Sequence, residues 1–242
     1  VLPDFRQYDP AAWERQVTIR QCLGHQTPFT AVAPLYTFGA DPDRLRAFVM
    51  QNAWTKGKPV YSDINFILLG IALERIGGRR IREMDPGDGF SFTPPVDLSV
   101  ATENCPWRGY VLRGEVHDEN CFALRGSGHA GLFGTAEAVL DFAVALLRRD
   151  QSGDTHTRLL RSPLSSTRCH GWELPHDGWS GGTACSAKTI GHTGFTGTGL
   201  WIDFTAGHAW TLLTNHVHPS RHANSGISEL RRAVGTMLFS GD

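Results

Sequence analysis

Two short segments carry residue types that could perform acyl chemistry. The first is Tyr61-Ser62-Asp63, which stands directly before an apolar stretch that predicts a buried helix. A tyrosine at a helix start can act as a general base when a nearby cation lowers its pKa from about 10. Asp63 could orient that cation or a substrate amide. Because three-residue motifs recur by chance, the alternative is a half-buried Tyr61 with Asp63 as a helix cap.

The second segment is Gly-His-Thr-Gly-Phe-Thr at residues 191–196, which predicts the end of a strand. Small residues there would let a substrate carbonyl approach the backbone. The N–H of Phe195 could donate to a developing oxyanion. His192 would be its electrostatic partner. The alternative is a glycine-rich strand with an exposed histidine.

A serine nucleophile with a lysine three residues later would complete such a site. No serine of the chain has a lysine at that spacing. A competing motif, G-x-S-x-G, occurs around Ser180. That motif requires a strand before it and a helix directly after it. A strand is predicted to follow Ser180, so the sequence disfavours this second type of hydrolase site.

Two groups of potential metal ligands lack the spacing of known metal motifs. One group lies in a loop-rich segment: Glu115, His117, Asp118, Glu119 and His129. The other follows the last predicted strand: His216, His218 and His222. We predict structural hydrogen bonds for the first group and solvation for the second. The sequence therefore predicts no metal and no organic cofactor.

Composition narrows the classes of partner. The net charge of the 242 residues is −1, with no basic block of the kind that binds nucleic acid. The longest apolar run, residues 64–73, is far shorter than the ~20 residues of a membrane span. Five scattered cysteines without a C-x-x-C motif argue against a disulfide framework. The compartment stays open between cytoplasm and periplasm.

The order of predicted elements indicates an α+β architecture, with helices first and antiparallel strands last. We expect one domain over residues 1–242, mostly helix and loop over 1–160, with strands and a C-terminal helix over 161–242. The predicted helices cover 19–23, 42–51, 63–75, 136–149 and 228–238. The predicted strands cover 168–174, 189–193, 198–203 and 208–215, the last two joined at Ala206-Gly207.

The motif order makes a family resemblance specific. Tyr-Ser-Asp at 61–63 is followed by Gly-His-Ala-Gly-Leu-Phe-Gly-Thr-Ala at 128–136 and by Gly-His-Thr-Gly-Phe-Thr-Gly-Thr at 191–198. This order resembles the β-lactamase-related serine hydrolases, which include class C β-lactamases, penicillin-binding proteins and lactamase-like esterases. The resemblance covers nearly the whole chain. It implies a β-lactamase/transpeptidase-like fold, an antiparallel sheet flanked by helices with a cleft beside it, here lacking the N-terminal helix and first strands.

The resemblance also implies roles for individual residues. Tyr61 would be the base, Asp63 would occupy the place of the family's Asn or Asp, and Phe195 N–H would be one oxyanion donor. His192 stands where many members have Lys and esterase-like members often have His. The positions expected to contact substrate are Ser62, Thr193, Gly194 and Thr196.

The implied reaction is hydrolysis of a small-molecule ester, amide or β-lactam through an acyl-enzyme. The Ser-x-x-Lys motif of that reaction is missing from this chain, which we therefore expect to be inactive alone. An N-terminal segment acting in trans would complete the site. The alternative is a non-catalytic remnant or binding module. Since histidine is only partly charged at neutral pH, His192 favours an ester or amide over a penicillin carboxylate.

Overall fold

The computed structural model describes residues 1–239, whose contacts form two compact units. The helical unit comprises Val1–Gly87, Ser91–Pro94 and Glu115–Phe133. The sheet unit comprises Asp88–Phe90, Pro95–Gly114 and the chain from Gly134 onward. The expected single domain, with its division at residue 160, stays a prediction.

Local capping signals set the helices of the helical unit. Thr18 Oγ1 accepts from Gln21 N at 3.2 Å, which caps the first helix. Asp41 caps the second helix, whose first residue is a proline. The helices are α1 (Ile19–Leu23), α2 (Pro42–Gln51), α3 (Asp63–Gly77) and α4 (Glu119–Ala123), with 3-10 turns at Trp13–Gln16, Leu35–Phe38 and Ile81–Glu83.

Helix α3 is the centre of this unit. It is apolar on most faces, so it is buried rather than amphipathic. Gly70 allows close packing, because a Cβ there would lie 2.6 Å from the backbone nitrogen of Gly128. The helix ends at Gly78, whose left-handed φ of +66° suits glycine. The predicted stop at the glycine pair is confirmed, with two more helical residues than expected.

An antiparallel sheet forms the core of the sheet unit. Its strand order is β5-β6-β7, and the turn around Gly207 joins the last two strands, as predicted. Ile190 and Ile202 are fully buried beneath the long helix α5, which packs against β6 and β7. The strands are β1 (Phe90–Ser91), β2 (Asn104–Cys105), β3 (Tyr110–Val111), β4 (Phe133–Gly134), β5 (Thr189–Thr193), β6 (Thr198–Asp203) and β7 (His208–Leu213). The helices are α5 (Ala136–Gln151), α6 (Thr155–Leu160) and α7 (Ile227–Phe239).

The predicted strand over residues 168–174 is wrong. Gly171 has a φ of +87°, and Cys169 N–H donates to the Trp172 carbonyl at 3.0 Å. The segment therefore turns back on itself, and Arg168 and Glu173 face each other in an isolated bridge. The apolar alternation at these positions reflects packing of Cys169 and Leu174 on both arms of a turn.

No helix over residues 1–239 is long and apolar enough to cross a membrane.

Candidate functional site

Tyr61 precedes α3 and presents its ring at the protein surface. The residue is 44% exposed. Its ring stacks on the His25 imidazole, with centroids 4.1 Å apart and an interplanar angle of 27°. The phenol is therefore both reachable from solvent and fixed in direction.

His25 is held by a buried polar network. Its Nδ1 accepts from Ser62 N–H at 3.1 Å and lies 3.2 Å from Asn65 Nδ2. Thr27 Oγ1 donates to Asn65 Oδ1 at 2.5 Å, so the amide nitrogen of Asn65 points at the imidazole. A backbone N–H can only donate, so Nδ1 carries no proton and the ring is the neutral Nε2–H tautomer.

Ser62 faces inward. Its side chain is fully buried, and its hydroxyl donates to the Thr30 carbonyl at 2.6 Å. That bond fixes the chain where it enters α3. The expected contact of Ser62 with substrate stays a prediction.

Asp63, the first residue of α3, lies near a second polar pair. His129 Nε2 and Asp118 Oδ1 are 2.8 Å apart, and His129 Nδ1 lies 3.0 Å from Ser127 Oγ. Burial raises the pKa of Asp63, the charge of His129 opposes the rise, and that of Asp118 adds to it. The hydrogen-bonding interpretation of Asp118 and His129 is confirmed.

In the part of the chain that the structure describes, no group of three or more His, Cys, Asp or Glu side chains is arranged to hold a metal ion.

The second candidate segment forms the end of β5. Gly191 faces Trp201 across the strand pair, and a Cβ there would collide with the indole. His192 is half-buried, and its Nδ1 donates to the Thr193 carbonyl at 2.9 Å. Burial lowers the pKa of His192, and the nearby charge of Glu173 partly opposes this. The imidazole is therefore neutral at pH 7.

A tight turn connects β5 to β6 and contains the predicted oxyanion donor. Gly194 N–H donates to the Thr198 carbonyl at 2.8 Å, and Gly197 N–H donates to the Gly194 carbonyl at 3.1 Å. A Cβ on Gly194 would collide with Thr198 Oγ1, so glycine is required here. The Phe195 side chain is 64% exposed at the tip, followed by half-buried Thr196.

The expected solvation of His216 is wrong. Its Nε2 donates to the Phe195 carbonyl at 2.7 Å, and its Nδ1 lies 2.9 Å from Ser225 Oγ. The chain after β7 returns to the β5–β6 turn, which places this imidazole against the turn. No local pattern in the sequence indicates that return.

The G-x-S-x-G alternative is also excluded. Ser180 is followed by irregular chain rather than by a helix. Its Oγ accepts from Trp201 Nε1 at 3.2 Å. Ser180 is therefore a structural partner of the buried tryptophan.

The predicted residues thus form two local sets, one in each unit. Tyr61, Ser62 and Asp63 lie together at the start of α3, and residues 192–196 lie together at the end of β5. Sequence reasoning missed the network around His25 and the contacts of His216. These contacts join residues 21 to 40 positions apart, which a single sequence does not reveal.

Comparison with known proteins identifies the family. A family model described as Beta-lactamase matches residues 1–233. The N-acetylmuramyl-L-alanine amidase of Bacillus subtilis is 28% identical over 206 residues, which are 68% of this chain and 46% of that protein. A putative D-alanyl-D-alanine carboxypeptidase of Escherichia coli K12 is 26% identical over 201 residues, 66% of this chain and 46% of that protein. The chain spans about half the length of these curated relatives.

Solved structures agree on the fold. The D-amino acid amidase of Ochrobactrum anthropi matches with a TM-score of 0.62 at 14% identity, covering 97% of this chain and 81% of that one. A β-lactamase of Mycobacterium bovis matches with a TM-score of 0.57 at 15% identity, covering 99% and 82%. At such identities the likeness shows the fold alone, which is β-lactamase/transpeptidase-like, as predicted. With the family model matching residues 1–233, the chain belongs to the β-lactamase family, whose relatives here are serine hydrolases.

Proposed function

We propose that this chain supplies the base and one oxyanion donor of a serine hydrolase that cleaves an ester or amide through an acyl-enzyme. The observation that carries the proposal is Tyr61, a phenol fixed by stacking on His25 yet reachable from solvent. The family match supports the reaction class.

In the proposed reaction, a serine hydroxyl attacks the substrate carbonyl carbon and gives its proton to the Tyr61 oxygen. The oxyanion that forms accepts a hydrogen bond from Phe195 N–H. Tyr61 then protonates the leaving alcohol or amine, and the C–O or C–N bond breaks. Water hydrolyses the acyl-serine in the same manner. Asp63 is assigned to orient the substrate amide or the partner cation.

The nucleophile is assigned to a Ser-x-x-Lys motif that these 242 residues do not contain. Two serines near the motifs are poor substitutes. Ser62 is fully buried with its hydroxyl donated to Thr30, and Ser180 accepts from Trp201. The chain alone is therefore proposed to be inactive.

A fluorophosphonate probe, which labels activated serines, tests this assignment. We expect the 242-residue chain to stay unlabelled. We expect a protein that joins it to a Ser-x-x-Lys segment, read in frame from the DNA before the Val1 codon or supplied in trans, to be labelled at that serine. Labelling of the chain alone at Ser62 or Ser180 would overturn the assignment of the nucleophile.

The substrate class follows from His192. Because burial lowers the pKa of this imidazole, it offers no fixed cation to a carboxylate at pH 7. The relatives are named as amidases and carboxypeptidases. We therefore expect the labelled protein to hydrolyse p-nitrophenyl esters or D-amino acid amides faster than nitrocefin. The opposite order would contradict the ester or amide assignment.

The second candidate is a binding module, favoured by the absence of Ser-x-x-Lys from the sequence. Such a protein would bind a D-amino acid amide without turnover. Calorimetric binding with no hydrolysis, in a protein whose upstream DNA encodes no Ser-x-x-Lys, would support this candidate over the enzyme.

A further inference from the structure

Arg231 of α7 grips both ends of the turn between β5 and β6. Its Nη2 donates to the Gly194 carbonyl at 3.1 Å and to the Thr198 carbonyl at 2.7 Å. The residue is only 7% exposed, although it carries a charged group. A buried guanidinium bonded to two backbone carbonyls is a rigid support, because charge-assisted bonds in a low-dielectric site are strong.

The geometry of the peptide bond makes this support relevant to Phe195. The Gly194 carbonyl and the Phe195 N–H belong to one planar unit and point in opposite directions when the bond is trans. The cis bond that the structure describes is at His218-Pro219, not here. A group that fixes the direction of the Gly194 carbonyl therefore also fixes the direction of the Phe195 N–H.

The charge of Arg231 adds to this effect. A cation bonded to a peptide oxygen draws electron density toward that oxygen, which makes the N–H of the same peptide a stronger donor. Burial lowers the pKa of Arg231, and the charge of Glu173 opposes this. An arginine stays protonated in proteins, so the positive charge persists behind the peptide.

The next peptide is held separately. His216 Nε2 donates to the Phe195 carbonyl at 2.7 Å, and the Arg221 guanidinium lies 5.6 Å from the centre of the Phe195 ring. Glu103 in turn pairs with Arg221 at 2.6 Å. These contacts restrain the tip of the turn, whereas Arg231 acts on the peptide that contains the predicted donor.

We propose that Arg231 is a positioning residue that holds the Gly194–Phe195 peptide so that its N–H is presented as a fixed donor to the acyl oxygen of the substrate. This inference rests on the proposed function. It extends it by naming the side chain, 37 residues away in the chain, on which the oxyanion donor depends.

Three variants test the proposal. Arg231→Met removes the donors but keeps an unbranched side chain, and Arg231→Lys keeps the charge and a single donor nitrogen. Arg232→Met is the matched control, because its neighbouring guanidinium is half-exposed and bonds to Glu229 and weakly to Gly178. Kinetics are measured on the protein that carries the Ser-x-x-Lys segment, with kcat expressed per fluorophosphonate-labelled serine so that unfolded molecules do not count.

We expect Arg231→Met to lower kcat about 10-fold to 100-fold, somewhat less than the ~10²–10³ that removal of an oxyanion donor costs. KM should stay close to its original value, since the bond is made in the transition state. Arg231→Lys should recover part of the loss, and Arg232→Met should have no effect. A kcat per labelled serine within about twofold of wild type in Arg231→Met would overturn the proposal.

A second readout does not require catalysis. In the 242-residue chain, the carbonyl ¹³C resonance of Gly194 and the amide ¹⁵N resonance of Phe195 should shift in Arg231→Met and not in Arg232→Met. Unchanged resonances would show that Arg231 does not hold this peptide, which also overturns the proposal. A wild-type protein that neither labels nor hydrolyses would instead refute the proposed function, while the resonances still decide whether the support exists.

Discussion

The start of α3 and the turn between β5 and β6 position their candidate groups in opposite ways. At the start of α3 the candidates are side chains, and buried side chains such as His25 and Asn65 fix them. In the turn the candidate is a backbone N–H, and the groups that fix the turn bind its carbonyls. Deleting a side chain thus tests the first region directly, whereas the second is tested through its supports.

The sharpest test of the first region is Tyr61→Phe. The ring would still stack on His25, so folding should be unaffected, but the proposed base would be lost. General acid–base groups contribute about 10²–10⁴-fold, and we expect kcat for a p-nitrophenyl ester to fall by that factor. Tyr8→Phe is the control, because Tyr8 is 87% exposed and distant in sequence from the motifs. Full activity in Tyr61→Phe would assign the base elsewhere.

The next largest effect is expected at Asn65, which supports the first region without being a candidate for chemistry. Asn65→Ala would leave Thr27 Oγ1 and His25 Nδ1 each without one buried partner. Unsatisfied buried groups cost about 1–3 kcal/mol each, so the free energy of unfolding should fall by about 2–3 kcal/mol in urea denaturation.

Asn224→Ala is the matched control for Asn65, since Asn224 is exposed and makes a local bond to Gly226 N at 3.3 Å. Equal losses in the two variants would mean that the His25 network adds nothing to the stability of the first region.

The same contrast explains what the sequence could predict. Helix ends depend on adjacent residues, so Thr18, Asp41 and Thr135 marked the starts of α1, α2 and α5 correctly. The hairpin of β6 and β7 was also predicted, because the turn signal lies between its own strands.

The failures come from turns and long-range contacts. Alternating apolar residues around Gly171 mimic a strand, although the left-handed glycine reverses the chain. The bonds of Arg231 and His216 to the turn join residues 21 to 37 positions apart. No period or motif in the sequence encodes which carbonyl a distant side chain reaches, so the candidate residues were predictable but their supports were not.

A smaller effect is expected from the titration of His192. Above pH 6.5 this imidazole is neutral in both the folded and the unfolded chain. Its pKa is lowered in the folded state, chiefly by burial, so as the pH falls through 6.5 the unfolded chain takes up a proton that the folded chain does not. The free energy of unfolding should therefore fall between about pH 8 and about pH 5.5.

His192→Asn removes this titration. Its free energy of unfolding relative to wild type should rise as the pH falls, which paired urea denaturation at the two pH values measures. A constant difference between the two proteins would mean that His192 titrates as it does in the unfolded chain.

The smallest effect, and one of opposite sign, is expected at Asp63. The folded-state pKa of this carboxyl is raised, chiefly by burial, with His129 opposing and Asp118 adding to the shift. Between the unfolded value of 3.8 and the folded value, the folded chain holds a proton that the unfolded chain has released, so stability falls as the pH rises through this window. Asp63→Asn, which stays neutral, should be more stable than wild type at pH 7 and lose that advantage as the pH approaches 3.8.

Activity of the same variant then separates stability from function. If Asp63 orients a substrate amide by hydrogen bonding alone, asparagine, which the family also uses there, should retain much of kcat while the protein gains stability. If Asp63 orders a cation that lowers the pKa of Tyr61, the variant should lose kcat and the pH at which kcat rises should increase. A variant less stable than wild type at pH 7 would contradict both, because it would show that the ionised carboxylate is favoured where it lies.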